Sequence, residues 1–74
     1  MAELDLYKVR MMEEYNELKD KYNKLHRFLN KHKVGKLAFE VPQNKIELMT
    51  EQKEYMGKYL NVLEARMELE GIEY

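Results

Sequence analysis

Apolar residues recur at steps of three and four through the first half of the chain. This is the period of one face of an α-helix, and it continues for about seven turns. The stretch contains neither Gly nor Pro, and Gly35 follows a basic segment, residues 31–33, as a helix stop often does. The pattern predicts a helix over residues 3–32. Its apolar positions are Leu4, Tyr7, Met11, Tyr15, Leu18, Tyr22, Leu25 and Leu29.

Residues 33–43 interrupt this period and predict a connector. Gly35 and Pro42 punctuate it, and a residue before proline favours an extended backbone. Leu37, Phe39 and Val41 alternate as in a short strand, but an isolated strand has nothing to pair with. We therefore expect an ordered connector in which Phe39 covers the open end of a helical hairpin.

A second helical pattern follows over residues 44–70. Asn44 and Glu47 have the spacing of a capping box, in which each side chain accepts a backbone N–H of the first turn. Gly57 either weakens this helix or marks a place where another element packs closely against it. Gly71 predicts the end of the helix. The apolar positions form two adjacent stripes. One consists of Met49, Met56, Leu60, Leu63 and Met67, and the other of Leu48, Tyr55, Tyr59, Val62 and Leu69.

Two long helices joined by about ten residues predict an antiparallel hairpin. Pairing Phe28 with Leu48 sets the register. A hairpin has only one mutual face, so the second apolar stripes need partners, and homo-oligomers are mostly built on two-fold axes. The predicted fold class is all-α, with one domain over residues 1–74. We expect an antiparallel two-helix hairpin that assembles into a homo-oligomeric helical bundle, at least a dimer.

Composition narrows the possible functions. The 74 residues carry a net charge of −1, which excludes a simple basic binder of DNA or RNA. No apolar run approaches the ~20 residues of a membrane span, and no signal-peptide core follows Met1, so we expect a cytoplasmic protein without a membrane partner. The chain has no Cys, and its two histidines are six residues apart, so we expect neither a metal nor a cofactor.

The sequence also predicts that the chain is not an enzyme. It has no Cys, no Ser and one Thr, and it lacks a Gly-rich phosphate loop. A general base is also hard to find, because a carboxylate paired with Arg keeps its ionised, weakly basic form.

Four polar residues occupy positions that the heptad pattern directs towards the seam: Glu14, Lys21, Gln52 and Arg66. Buried charge is costly unless it is paired or holds a ligand. These groups either fix the register, with Arg66 offsetting Glu14, or line a polar pocket between chains. A basic run towards the end of the first helix is similarly open to two interpretations, as a solvated face or as a phosphate-binding surface beside tyrosines.

The order of these residues resembles a family of small bacteriophage helical hairpins over about residues 9–67. The first helix contributes Arg10, Glu14, Leu18, Lys21, Leu25 and Phe28. The second contributes Leu48, Gln52, Met56, Tyr59, Leu63 and Arg66. Those hairpins are similar in size and shape to phage sponges that counter cyclic-nucleotide-based bacterial immunity (anti-CBASS type). The resemblance implies a homo-oligomer that sequesters a cyclic di- or trinucleotide without cleaving it.

We infer the ligand-binding residues from charge and aromaticity, because no motif of a sponge aligns with this chain. Cations would hold the phosphates, and tyrosines would stack on the bases. The candidates are Arg10, Tyr15, Lys21, Lys24, Tyr55, Tyr59 and Arg66. The alternative function is a homo-oligomeric interaction module that blocks a host protein by direct contact.

Overall fold

The structure is a computed structural model that describes the backbone of residues 2–74 and the side chains of residues 6–74. Helix α1 spans Ala2–Lys33 and helix α2 spans Gln43–Leu69. The two helices pack against each other as an antiparallel hairpin with extents of 51 × 18 × 16 Å. The prediction of an all-α two-helix hairpin is confirmed.

Both helices end at a glycine in the left-handed conformation. Gly35 has φ +72° and Gly71 has φ +67°. At each end, the N–H groups of the glycine and of the residue after it bond back to the last turn. Lys36 N donates to Lys31 O at 2.8 Å, and Ile72 N donates to Met67 O at 2.9 Å. This is the Schellman arrangement, which satisfies carbonyls that the helix leaves free. The glycines therefore stop both helices, as the sequence predicted.

The start of α2 differs from the prediction. The residue before the helix is Pro42, and no side chain caps the first turn. Asn44 lies inside the helix, where its side-chain oxygen accepts from the backbone N–H of Lys45 at 2.9 Å. The expected capping box is therefore wrong. Proline is compatible with this position because it has no backbone N–H, and the carbonyl of Pro42 accepts the first helical bonds from Lys45 N and Ile46 N.

The buried core lies where α1 and α2 face each other. Leu63 and Met67 are fully buried, and Met11 and Tyr15 pack against them with Leu60. Leu18, Tyr22 and Ile72 extend this cluster at its edges. A β-carbon at Gly57 would lie 3.4 Å from the Tyr22 ring, so the glycine marks a close approach of the helices.

The seam is rotated relative to the prediction. Tyr15 is buried and Tyr22 is partly buried. Both lie beside Met11 and Leu18, on the side of α1 away from Glu14 and Lys21. Burying a tyrosine ring removes a large apolar area from water, whereas burying an unpaired charge is costly. The four polar residues Glu14, Lys21, Gln52 and Arg66 are all exposed. Their predicted place inside the hairpin seam is wrong.

The connector has no regular secondary structure between Lys33 and Gln43. The Phe39 ring lies 6.5 Å from the Phe28 ring, at the end of the hairpin where the chain turns back. Phe28, Leu48 and Phe39 line the same cavity, in agreement with the predicted register. Neither α1 nor α2 is long and apolar enough to cross a membrane, judged on the described residues.

Candidate functional site

One face of α2 carries large side chains that the hairpin leaves exposed. They repeat at steps of four and three over almost the whole helix, and we call them the outer row. The outer row consists of Leu48, Gln52, Tyr55, Tyr59, Val62, Arg66 and Leu69. Its five apolar members are between 45% and 88% exposed. This heptad spacing is typical of the seam of a coiled coil, yet within one hairpin the outer row faces solvent.

A second set of residues on α1 lies beside the outer row. Tyr7, Glu14, Lys21 and Phe28 are seven residues apart and so share one side of α1; we call them the companion row. Its ends fix its position, because Tyr7 contacts Arg66 and Phe28 lines a cavity with Leu48 and Gln52. The outer row and the companion row together form what we call the outer face of the hairpin.

Arg66 is the best-positioned cation on this face. Its guanidinium donates a hydrogen bond to the Tyr7 hydroxyl, and its Cζ lies 5.9 Å from the centre of the Tyr7 ring. A guanidinium has five N–H donors, so one bond to Tyr7 orients the group and leaves other donors for an anion. Tyr7 was not among the predicted site residues. Its seven-residue spacing from Glu14 was the signal that could have found it.

The tyrosines of the outer row form an open groove. Leu48, Tyr55, Met56 and Tyr59 supply its mostly apolar walls, and two polar side chains, Glu51 and Gln52, lie along it. Lys58 lies 5.6 Å from the centre of the Tyr55 ring and also pairs with Glu54 at 3.7 Å. Lys58 is a further cation beside Tyr55 that sequence reasoning missed.

The remaining predicted cations lie on the outer face or at its edge. Arg10 is one turn from both Tyr7 and Glu14, and Lys24 is one turn from both Lys21 and Phe28. Both are exposed. Lys24 forms a surface ion pair with Asp20 at 3.0 Å, a contact of small energetic weight. Six of the seven predicted ligand residues therefore share one side of the hairpin.

Tyr15 is the exception. Its side chain is only 3% exposed in the seam, and its hydroxyl donates to Glu64 Oε2 at 2.8 Å. Burial and this hydrogen bond raise the pKa of the Tyr15 phenol above its ordinary value of 10.0. A buried ring offers no free face for stacking, so the structure gives Tyr15 a packing role and we leave it out of the candidate site.

The described residues contain no group of three or more His, Asp or Glu placed to hold a metal ion. The outer face instead combines exposed aromatic rings with guanidinium and ammonium groups. Such a surface is chemically suited to bind an anion that carries flat rings.

The molecule is thus a small helical hairpin with one long exposed face of tyrosines and cations. A protein-family model described as Sequestin matches residues 5–69. Because this match covers most of the 74 residues, the chain belongs to the Sequestin family. No curated protein and no solved structure matches the chain.

Proposed function

We propose that this protein is a phage-type immune antagonist that binds a cyclic di- or trinucleotide signal and sequesters it without cleaving it. The observation that carries the proposal is the Sequestin match together with the outer face. The family name is consistent with a sequestering function, which needs tight binding and no chemistry. The ligand class is our inference from the side chains of the outer face.

A cyclic nucleotide presents two kinds of group, and the outer face has a counterpart for each. Phosphate oxygens accept charge-assisted hydrogen bonds, for which Arg66 and Lys21 supply donors. Bases have flat π-faces, and the exposed rings of Tyr55 and Tyr59 are suitable platforms. Arg10 and Lys24 add positive charge at the edge of the face and would draw in the anion over a distance comparable to the Debye length.

A homo-oligomer would extend this match. A two-fold axis presents every side chain twice, and a cyclic dinucleotide repeats its phosphate and base with approximate two-fold symmetry. One lysine and one tyrosine from each chain could then contact both halves of the ligand. Binding at a site shared between chains would also exclude water and strengthen the phosphate contacts.

Thermal unfolding with a panel of cyclic di- and trinucleotides tests this function. A ligand present at one hundred times its Kd stabilises the folded state by about 2.7 kcal/mol. For a domain of this size, that corresponds to a rise in Tm of ~10–20 °C. Linear dinucleotides with the same bases measure the contribution of the cyclic form. If no cyclic nucleotide changes the Tm, the proposed ligand class is wrong.

A pair of lysine variants locates the binding site. Lys21→Ala should abolish the shift without changing the helix content, because Lys21 is exposed and contributes little to packing. Lys36→Ala removes the same charge from the exposed connector, away from the outer face, and should keep the full shift. Equal loss in both variants would indicate a nonspecific charge effect and would contradict a site at Lys21.

A second function is favoured by the exposed apolar side chains of the outer row. The same row could dock a host protein, so that the chain would act as an interaction module that blocks its target by contact. Such a module would bind its protein partner without any response to cyclic nucleotides. The thermal panel therefore separates the two functions.

A further inference from the structure

The outer row has the pattern of a helix–helix interface but has no partner within one hairpin. Leu48, Tyr55, Val62 and Leu69 are seven residues apart, and Gln52, Tyr59 and Arg66 form the alternate positions of the same heptads. The row extends over 21 residue steps, which is roughly 30 Å of helix. Leu69 is 88% exposed and Leu48 is 65% exposed. A soluble helix that keeps this spacing over three heptads is expected to pack against another helix.

The two ends of the outer row are chemically complementary, so two copies can pair when their α2 helices run in opposite directions. At one end, Leu48, Tyr55 and Tyr59 form a groove that contains the carboxylate of Glu51. The other end offers an apolar pair, Val62 and Leu69, with the guanidinium of Arg66 between them. In an antiparallel pair, the segment with Val62, Arg66 and Leu69 would therefore pack against the groove of the other copy. Its apolar side chains would contact the apolar walls, and its guanidinium would lie near the carboxylate. Helix dipoles also favour the antiparallel arrangement.

A parallel arrangement lacks this complementarity. Residues with the same number would then lie side by side, so Arg66 would face the partner's Arg66 and the two positive charges would repel. In the antiparallel arrangement the two guanidinium groups lie on opposite sides of the crossing point, about 20 Å apart along the helices. Charge thus selects the direction in which two copies can pack.

We propose that a second copy of this chain covers the outer row, with the two α2 helices antiparallel and crossing near Tyr59. The partner's Arg66 then enters the groove lined by Glu51, Gln52 and Tyr55. Because the interface is isologous, the same contact forms twice, once on each side of the axis. The hydrogen bond from Arg66 to Tyr7 of the same chain restricts the guanidinium within one hairpin.

This assembly covers the outer row, so a ligand would reach Tyr55 and Tyr59 only from the edges of the interface, where the companion row lies. The companion row flanks α2, so Lys21 of one chain would line a channel whose other wall is the partner's α2. Each channel would contain cations from both chains, with Lys21 of one chain on the same side of the interface as the partner's Arg66. The interface itself depends only on the outer row, so it can be tested without any nucleotide.

Two neighbouring substitutions on α2 test the interface. In one hairpin Val62 is 57% exposed, so Val62→Glu should leave the fold intact but place a charge in the proposed interface. Asn61→Glu introduces the same side chain one residue away, about 100° around the helix and outside the outer row. Circular dichroism verifies that both variants keep their helix content, and light scattering gives the mass.

The parent and Asn61→Glu should have twice the 9.0 kDa mass of one chain, or a higher even multiple. Val62→Glu should shift towards 9.0 kDa. A parent that is already a single chain, or a Val62→Glu protein that keeps the parent mass, would overturn the proposal. If a host protein rather than a second copy covers the row, the parent will be a single chain at every concentration.

Thiol cross-linking tests the direction of packing, since the chain has no native Cys. Leu48→Cys and Leu69→Cys chains, carrying different tags, are mixed and treated with a short bismaleimide. Antiparallel packing predicts a cross-linked product that contains one chain of each kind. Products that join two identical variants, or the absence of the mixed product, would overturn the antiparallel arrangement. Asn16→Cys, exposed on α1, measures the background from random collision.

Discussion

The hydrogen bond between Tyr15 and Glu64 offers a sharp test of the observed seam. Tyr15→Phe keeps the buried ring and removes only the hydroxyl that donates to Glu64 at 2.8 Å. A hydrogen bond to a charged group contributes about 1.5–3 kcal/mol net. Glu64 is only partly buried, so water can reach its carboxylate after the change. We therefore expect a loss of about 1.5 kcal/mol, the low end of that range, and a decrease in Tm of ~6–12 °C.

The same bond predicts a dependence on alkaline pH. The pKa of the Tyr15 phenol is raised in the folded protein, first by burial and then by its bond to Glu64. The folded state therefore favours the protonated phenol. This contribution to stability is complete below the ordinary pKa of 10.0 and is lost as the pH rises through the higher folded pKa. Tyr15→Phe should lack this part of the alkaline destabilisation.

Thermal melts at neutral pH and at a series of pH values above 10 measure both effects. Tyr74→Phe is the matched control at neutral pH, because the Tyr74 hydroxyl donates to Glu68 at an exposed position and its loss should change the Tm little. Tyr15→Phe should also bind nucleotide as the parent does. If its Tm at neutral pH equals that of the parent, the hydrogen bond from Tyr15 to Glu64 does not stabilise the fold as described.

Two further changes test the packing, and urea unfolding measures each. Gly57→Ala should raise the free energy of unfolding by up to about 1 kcal/mol, because alanine favours helix and its β-carbon fits 3.4 Å from the Tyr22 ring. A decrease in the free energy of unfolding would mean that the helices are closer than described. Leu63→Ala should lower it by about 2–5 kcal/mol, since Leu63 is fully buried, whereas Val34→Ala in the exposed connector should have little effect. Equal effects at Leu63 and Val34 would contradict the assigned core.

The helices and their ends were predictable because they depend on local chemistry. The 3.6-residue period required α1 and α2, and Gly35 and Gly71 stop them through a backbone conformation that other residues adopt rarely. The start of α2 was less predictable. Pro42 and Asn44 are both helix-start residues, and their order in the chain does not decide which of them precedes the first turn.

The choice of seam was not predictable from periodicity alone. Glu14 and Tyr15 flank the same row of Met11 and Leu18, so the heptad pattern allows either side to turn inward. The sequence analysis counted Tyr15 among the apolar positions of the first helix, but directed Glu14 towards the seam and assigned Tyr15 to ligand binding. In the structure, the large area of the Tyr15 ring and the partner for its hydroxyl decide the rotation.

That rotation explains which of the predicted ligand residues are exposed and which are buried. Tyr55, Tyr59 and Arg66 remain outside because the opposite side of α2 is buried. Tyr15 was misplaced for the same reason, since it rotates into the seam. The spacing of Tyr7 from Glu14 could have placed it on this face, but its contact with Arg66 and the contact of Lys58 with Tyr55 depend on side-chain positions that spacing does not give.

Calorimetric titration with a cyclic nucleotide, followed by recovery of the ligand, tests the central claim most directly. The protein is titrated with the cyclic di- or trinucleotide that gives the largest thermal shift, and the complex is then heat-denatured and the released nucleotide analysed by chromatography. The account predicts saturable binding at or below micromolar concentration, weaker binding at high salt, and quantitative recovery of the intact ligand. Absence of binding at tens of micromolar, or recovery of a cleaved product, would contradict it.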